Sequence, residues 1–276
     1  MEPNAHHTRT GRCRAIGPRW PDGDSDGTSE VGRYPRIAAT AVFLLATWLA
    51  APAEAAHPSL TEDAGTQGAG HVELEIGAAT VRGPAGRITS LEPQLSIGVQ
   101  EGVDAIVLPT FVAIDAGELR VRGAAATTTD VKWRFAELDG LDFAVRAGVD
   151  WPTGSDALGG ARSSLHALLV ATWRVGETTL SFNAGLDRQS PVLGERRHIG
   201  RLGMGVVHPV HEALTVVGDL AVQSNDALGR TTMPGVASIG LIARLAPAFS
   251  VDVGYRLALN EAARPHALVA GATFRW

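Results

Sequence analysis

From His71 to the last residue, Trp276, apolar and polar side chains alternate with a period of two, in stretch after stretch. A period of two is a strand with unlike faces. In the final stretch, Leu268, Ala270, Ala272, Phe274 and Trp276 form one face. Val269, Gly271, Thr273 and Arg275 form the other. The sharpest case is 249–260. There Phe249, Val251, Val253, Tyr255, Leu257 and Leu259 stand against Ser250, Asp252, Gly254, Arg256, Ala258 and Asn260.

Twelve such stretches can be read: 71–80, 91–99, 104–112, 130–135, 141–151, 165–175, 180–187, 198–208, 214–223, 236–245, 249–260 and 266–276. Residues 104–112 are apolar on both parities, so their facing stays open. Pro93 counts against a strand at 91–99. The connections alternate. Tight ones fall at 101–103, 137–140, 176, 209–212 and 246–247, and longer ones at 82–87, 115–129, 151–164, 188–197, 224–234 and 261–265. An even number of strands, each about ten residues long, joined by alternating short turns and long loops is an outer-membrane pattern. The expected fold is therefore all-β: a transmembrane antiparallel up-and-down barrel of about twelve strands, following a cleaved signal. Short turns and both termini would face the periplasm, and long loops the outside.

The charges favour a membrane barrel over a soluble one. A soluble barrel points its apolar face inward. Here the opposite face carries Glu73, Glu75, Glu92, Lys132, Arg134, Asp142, Arg146, Asp150, Arg174, Asp219, Arg244, Asp252, Arg256 and Arg275. Lipid accepts the apolar face, and closure leaves no strand edge unpaired. Gly77, Gly98, Gly148, Gly185 and Gly254 fall on the inner parity and leave space there. Trp133, Trp151, Trp173, Tyr255 and Trp276 fall near strand ends on the outer parity, where interface girdles form. A soluble sandwich with one wet face is the alternative, but it does not account for the alternating loop lengths.

Ahead of the alternation lies a leader. Residues 1–30 are polar and aperiodic. A basic flank (Arg33, Arg36), an apolar run at 37–51 and Ala53-Glu54-Ala55 then read as a signal peptide over 31–55, cleaved after Ala55. A start site nearer Val31 would account for the first thirty residues. The only cysteine, Cys13, lies ahead of the signal, and the His6-His7 pair reads as chance. Residues 56–70 are small, polar and Gly-rich. They are either a plug folded into the barrel, with Glu62 and Asp63 inside, or a flexible periplasmic tail.

The segment 58–75 resembles the start of the phenol-degradation meta-pathway transporter family of outer-membrane barrels. Trp151-Pro152-Thr153-Gly154 resembles that family's Pro-Thr-Gly at a strand end, and Gly98–Asp104 its first strand–turn–strand. The resemblance implies an outer-membrane transporter associated with aromatic compounds. The final stretch resembles the closing strand of outer-membrane barrels, in which a terminal aromatic is the assembly signal. Phe274 and Trp276 take that role here, with Trp in place of the usual Phe. The implied partners are outer-membrane lipid, the barrel-assembly machinery and a small solute.

With 276 residues, 45% of them hydrophobic, and a net charge of -5, nothing points to nucleic acid as a partner. The lumen-lining candidates are Glu73, Glu75, Glu92, Lys132, Arg134, Asp142, Arg146, Asp150, Arg174, Asp219, Asp252 and Arg256. They line a selective pore, or they pair across neighbouring strands and fill a closed barrel. Acids and bases are mixed, without the single-sign ring of a selective pore, which favours pairing. Asp142, Arg146 and Asp150 lie about 13 Å apart in turn on one strand face, so their partners must come from adjacent strands. His166, Ser181 and Asn183 could suggest an outer-membrane phospholipase, whose Ser, His and Asn face lipid. These three fall on the inner parity and read as wall filling. His208-Pro-Val-His211 is too sparse for a metal site. The expectation is a non-enzymatic outer-membrane channel without cofactor, passing small, aromatic or hydrophobic solutes. The alternative is a closed structural or interaction barrel.

Overall fold

The computed structural model describes residues 58–83, 86–158, 160, 162–263 and 266–276. The expected leader and signal, with Cys13 and the His6-His7 pair, lie outside these residues. Twelve strands follow one another: β1 (Val72–Gly83), β2 (Gly86–Gln100), β3 (Val103–Ala116), β4 (Leu119–Leu138), β5 (Leu141–Trp151), β6 (Ser164–Val175), β7 (Thr178–Gln189), β8 (His198–His211), β9 (Leu214–Gln223), β10 (Gly235–Ala246), β11 (Phe249–Ala258) and β12 (Ala267–Arg275). Each pairs with its sequence neighbours, and β12 returns to β1, so the sheet closes into a barrel. The closing ladder is antiparallel and runs from Glu73 opposite Arg275 to Val81 opposite Ala267. All-antiparallel closure satisfies every strand without an edge, which a lipid-embedded sheet requires.

At one end of the barrel, the turn end, all five connections between successive strands are two-residue turns, at 101–102, 139–140, 176–177, 212–213 and 247–248. Asp139 and Gly140 both take positive φ, 46° and 84°. That suits a turn whose twist matches the flanking strands.

The other end departs from the sequence expectation. Residues 115–129, expected as a long loop, are mostly strand. β3 and β4 form one long hairpin around Gly117 and Glu118, and β4 alone has 20 residues. β1 and β2 likewise extend to Gly83 opposite Gly86. At about 3.3 Å per residue, β4 is roughly twice as long as an apolar band of about 25 Å requires. Its first half lies beyond that band, so its outward residues need not be apolar and the alternation fades. The expected turn at 209–212 is also corrected: β8 runs to His211, with a bulge at Pro209–His211.

Side-chain facing follows the expected parity. Leu169, Leu202, Ile239 and Leu268 are 51–59% exposed, whereas the inward Val170 and Val269 are 0% exposed. β3 resolves the open case. Asp104, Ile106, Leu108, Val112 and Ile114 are buried inside, while Val107 and Phe111 point out. Inside the loop end, Ile88, Val112, Ile114 and Ala125 pack with Leu158, which a short 3₁₀ helix (Asp156–Leu158) carries back over the wall. Pro93 does not break β2. It pairs in register with Ile76 of β1, and the β2–β3 ladder skips from Leu91–Phe111 to Leu95–Val107. Pro109 lies on the opposing strand in this gap, so two residues there lack an N–H to donate.

Candidate functional site in the barrel interior

The chain ahead of β1 lies against the inner wall. Pro58, Ser59, Thr61, Glu62 and Ala64 are buried there. Thr61 binds Asp219 Oδ1 through its amide (3.2 Å) and its hydroxyl (2.5 Å). The Glu62 amide donates to Asn183 Oδ1 at 2.8 Å, and Asn183 Nδ2 donates back to the Glu62 carbonyl at 2.9 Å. The Ala64 amide donates to Thr172 Oγ1 at 2.8 Å. Gln67 donates from its amide to the Asp104 carboxylate at 3.1 Å and from its side chain to Glu73 at 2.8 Å. Arg256 reaches the Ser59 carbonyl at 3.4 Å.

Glu62 lies at the centre of this arrangement. Lys132 Nζ meets one carboxylate oxygen and Arg146 Nη1 the other, each at 2.6 Å. All three side chains are less than 10% exposed. Burial alone would raise the Glu62 carboxyl, but the two cations and their hydrogen bonds outweigh it and hold the group below its ordinary value. The side-chain tethers therefore come from β1, β3, β4, β5, β6, β7, β9 and β11, and the Gly98 carbonyl of β2 accepts from the Gly70 amide at 2.9 Å.

Glycines on the wall provide the room. A Cβ on Gly98 would run into the carbonyl of Gly68, one on Gly205 into the Thr61 hydroxyl, and one on Gly240 or Gly254 into Pro58. Sequence reading placed Gly98 and Gly254 on the inner parity as open space. In the structure the segment occupies that space.

The wall charges pair as their spacing on β5 requires. Arg146 reaches Asp130 of β4 at 2.7 Å, and Asp142 receives Arg174 of β6 at 2.6 Å. Asp150 accepts from Thr128 of β4 at 2.5 Å and also from Ser164 of β6. Asp219 accepts from Ser238 at 2.7 Å. Glu73 meets Arg275 across the closing seam at 2.6 Å. Glu75 accepts from Gln94 at 3.1 Å. Arg134 sits near the turn end, between Glu101 (3.2 Å) and Glu137 (2.8 Å). Asp252 is buried, Glu92 and Arg256 are partly buried, and Arg244 is exposed near the turn end.

The lumen-lining candidates left out Asp130, which joins Arg146 to His166 Nε2 at 2.7 Å, and the Arg201–Asp187 pair at 2.8 Å. Both aspartates lie on the inner parity, so the alternation carried the signal. His166, Ser181 and Asn183 do not converge: their partners are Asp130, Thr172 and the Glu62 backbone. His208 contacts Thr178 at 2.9 Å, and His211 its own turn at Ala213.

No family model matches the chain, and no curated protein does. Solved structures do. An outer membrane channel from Pseudomonas putida F1 is 11% identical, with a TM-score of 0.63 over 79% of this chain and 99% of that one. The NanC porin is 10% identical, with a TM-score of 0.56 over 74% of this chain and 98% of that one. The KdgM porin, in complex with disordered oligogalacturonate, is 8% identical, with a TM-score of 0.53 over 74% and 98%. At these identities the likeness is one of fold. The chain has the closed twelve-strand barrel of outer-membrane channels.

Proposed function

We propose that the protein is a channel of the bacterial outer membrane, delivered there by a cleaved signal and folded by the barrel-assembly machinery. Small solutes, aromatic or hydrophobic compounds among them, pass through its interior without an energy-coupling element of its own. The inner-face charges line that path, and residues 58–70 act as its plug. One observation carries the reading. The material filling the interior includes a separate segment, held by hydrogen bonds and ion pairs that water or solute can replace. The resemblance of 58–75 to the phenol-degradation transporters, and the inward apolar patches of β2, β3 and β6, support the aromatic part of the reading.

The competing reading is a closed structural barrel. The wall pairs Arg146–Asp130, Arg174–Asp142 and Arg201–Asp187 favour it, because they tie wall charges to one another without the segment. Single-channel conductance of residues 56–276 in a planar bilayer, with and without 58–70, separates the two. Discrete steps that grow or lengthen on removal of the segment support the plugged channel. A folded barrel that stays silent without the segment sinks it.

A further inference from the structure

Two features of the inner wall meet where Glu62 and Ala64 lie. The first is cationic: Lys132 Nζ and Arg146 Nη1 grip the two oxygens of one carboxylate. The second is apolar: Ala144, Leu168 and Val170 are buried together around the Ala64 methyl group. Register places the two side by side. Leu168 is the cross-strand partner of Arg146, and Val170 that of Ala144. The chain thus inserts a carboxylate and a small apolar group, two residues apart, into a seat that offers two cations and an apolar floor.

We propose that this seat is a binding site for small amphiphilic carboxylates, aromatic acids above all, and that Glu62 and Ala64 are its built-in occupant. This rests on the channel reading, in which the segment leaves to open the path. The charge balance suits such a ligand. With Glu62 in place, Lys132 and Arg146 face Glu62 and Asp130, with Asp63 further off at 3.8 Å from Lys132. When Glu62 withdraws, Asp63 moves with it, and two cations face Asp130 and the register neighbour Asp104. Asp104 is turned toward the Gln67 amide, and Asp130 and Gln94 hold Arg146 Nε and Nη2, so Lys132 Nζ and Arg146 Nη1 are left facing the vacated position. A solute carboxylate accepts the same bidentate geometry from Arg146 and Lys132. Its ring replaces Ala64 against Leu168 and Val170 and buries more apolar area than a methyl does. A neutral ring compound lacks the first interaction, and an inorganic anion the second. Gln67, tied to Asp104 and Glu73 next to β1, remains as the hinge about which the residues ahead of it swing.

The test is amide hydrogen exchange of residues 58–70 in the full chain purified from outer membranes. Sodium benzoate is titrated against benzyl alcohol and sodium chloride at matched ionic strength. Benzoate is expected to raise exchange at Glu62 and Ala64 saturably, while the other two leave it unchanged. Glu62→Gln keeps the shape of the occupant without its charge, and should tighten benzoate binding about tenfold. Adding Lys132→Met to that variant should abolish binding. No response to benzoate, or an equal response to benzyl alcohol or chloride, overturns the proposal. The wild-type titration stands even if a variant fails to fold. Conductance separates this outcome from that of the channel reading. A barrel that conducts but ignores benzoate keeps the channel and loses the seat. A silent barrel that still binds benzoate keeps the seat and loses the channel.

Discussion

The carboxylate of Glu62 and the ammonium of Lys132 meet at 2.6 Å across 70 residues of sequence, and Lys132 is the only lysine in the chain. Replacing it with Met leaves Glu62 with Arg146 alone. Loss of one hydrogen bond between charged partners costs about 1.5–3 kcal/mol where water can re-enter. Lys132→Met should therefore release the segment. The Glu62 and Ala64 amides, bound to Asn183 and Thr172, should exchange at least about tenfold faster while β-sheet content is unchanged. Unchanged protection would mean that the ion pair does not hold the segment.

Acid should act at the same place. The Glu62 carboxyl is held below its ordinary value of 4.5, so its contribution is complete above that value and is lost as pH falls through the lowered one. Protonation leaves Lys132 and Arg146 without their shared partner, with Asp130 and Asp63 as the remaining acids in contact. Segment protection measured downward from neutral pH should stay flat to about pH 4.5 and then fall, and Glu62→Gln should abolish the step. A transition well above that pH would assign control to another group.

Gly98 allows a test that leaves the wall charges alone. A Cβ there collides with the Gly68 carbonyl, but the position lies on a wall that accepts side chains. Gly98→Ala should displace the N-terminal segment and raise conductance with little change in barrel stability. A marked loss of stability would show that the segment is part of the core.

Parity is tested at neighbouring residues of β11. Val253 is 47% exposed on the outer face, and Arg there should cost about 2–4 kcal/mol of folding stability in lipid. At Gly254 the side chain would meet Pro58 first, so Arg there should dislodge the segment as well as alter conductance. Chemical unfolding in vesicles reads the first effect and conductance the second. A reversed order of stability costs would invert the assignment of faces.

Phe274 stacks on Phe249 with ring centroids 4.7 Å apart, and Trp276 exchanges backbone hydrogen bonds with Val72 at 2.8 and 3.0 Å. Replacing both aromatics with Ala should lower outer-membrane levels of the protein. Normal levels would separate the closing seam from any role as assembly signal.

The parts of the fold most legible in the sequence were those on which lipid and interior impose opposite demands. β11 and β12 show this best, since every second residue had to be apolar. β3 was illegible in facing because Ile106, Leu108, Val112 and Ile114 are buried on the inner face, the last two in a cluster with Leu158, leaving both faces alike. The first half of β4 was hidden for the opposite reason: outside the apolar band, neither face is constrained. The wall charges could be assigned to a face, but their pairing depended on neighbours such as Asp130. For residues 58–70, composition allowed a plug or a tail. What places them is a set of side-chain partners from eight strands, scattered from Glu73 to Arg256, and no local pattern encodes that convergence.

The ladder between Val72–Gly83 and Ala267–Arg275 has a consequence for the order of events during folding. It joins β1 to β12, so the wall cannot shut until residues 267–275 have arrived. Every other strand pairs with its neighbour in sequence, and the slow step is a single contact of very high sequence separation. Residues 58–70 precede that first strand directly. They must enter the cylinder while the seam is still parted or thread in afterwards from the turn end. The kinetics of sealing and of self-occupation are therefore coupled through one pair of strands.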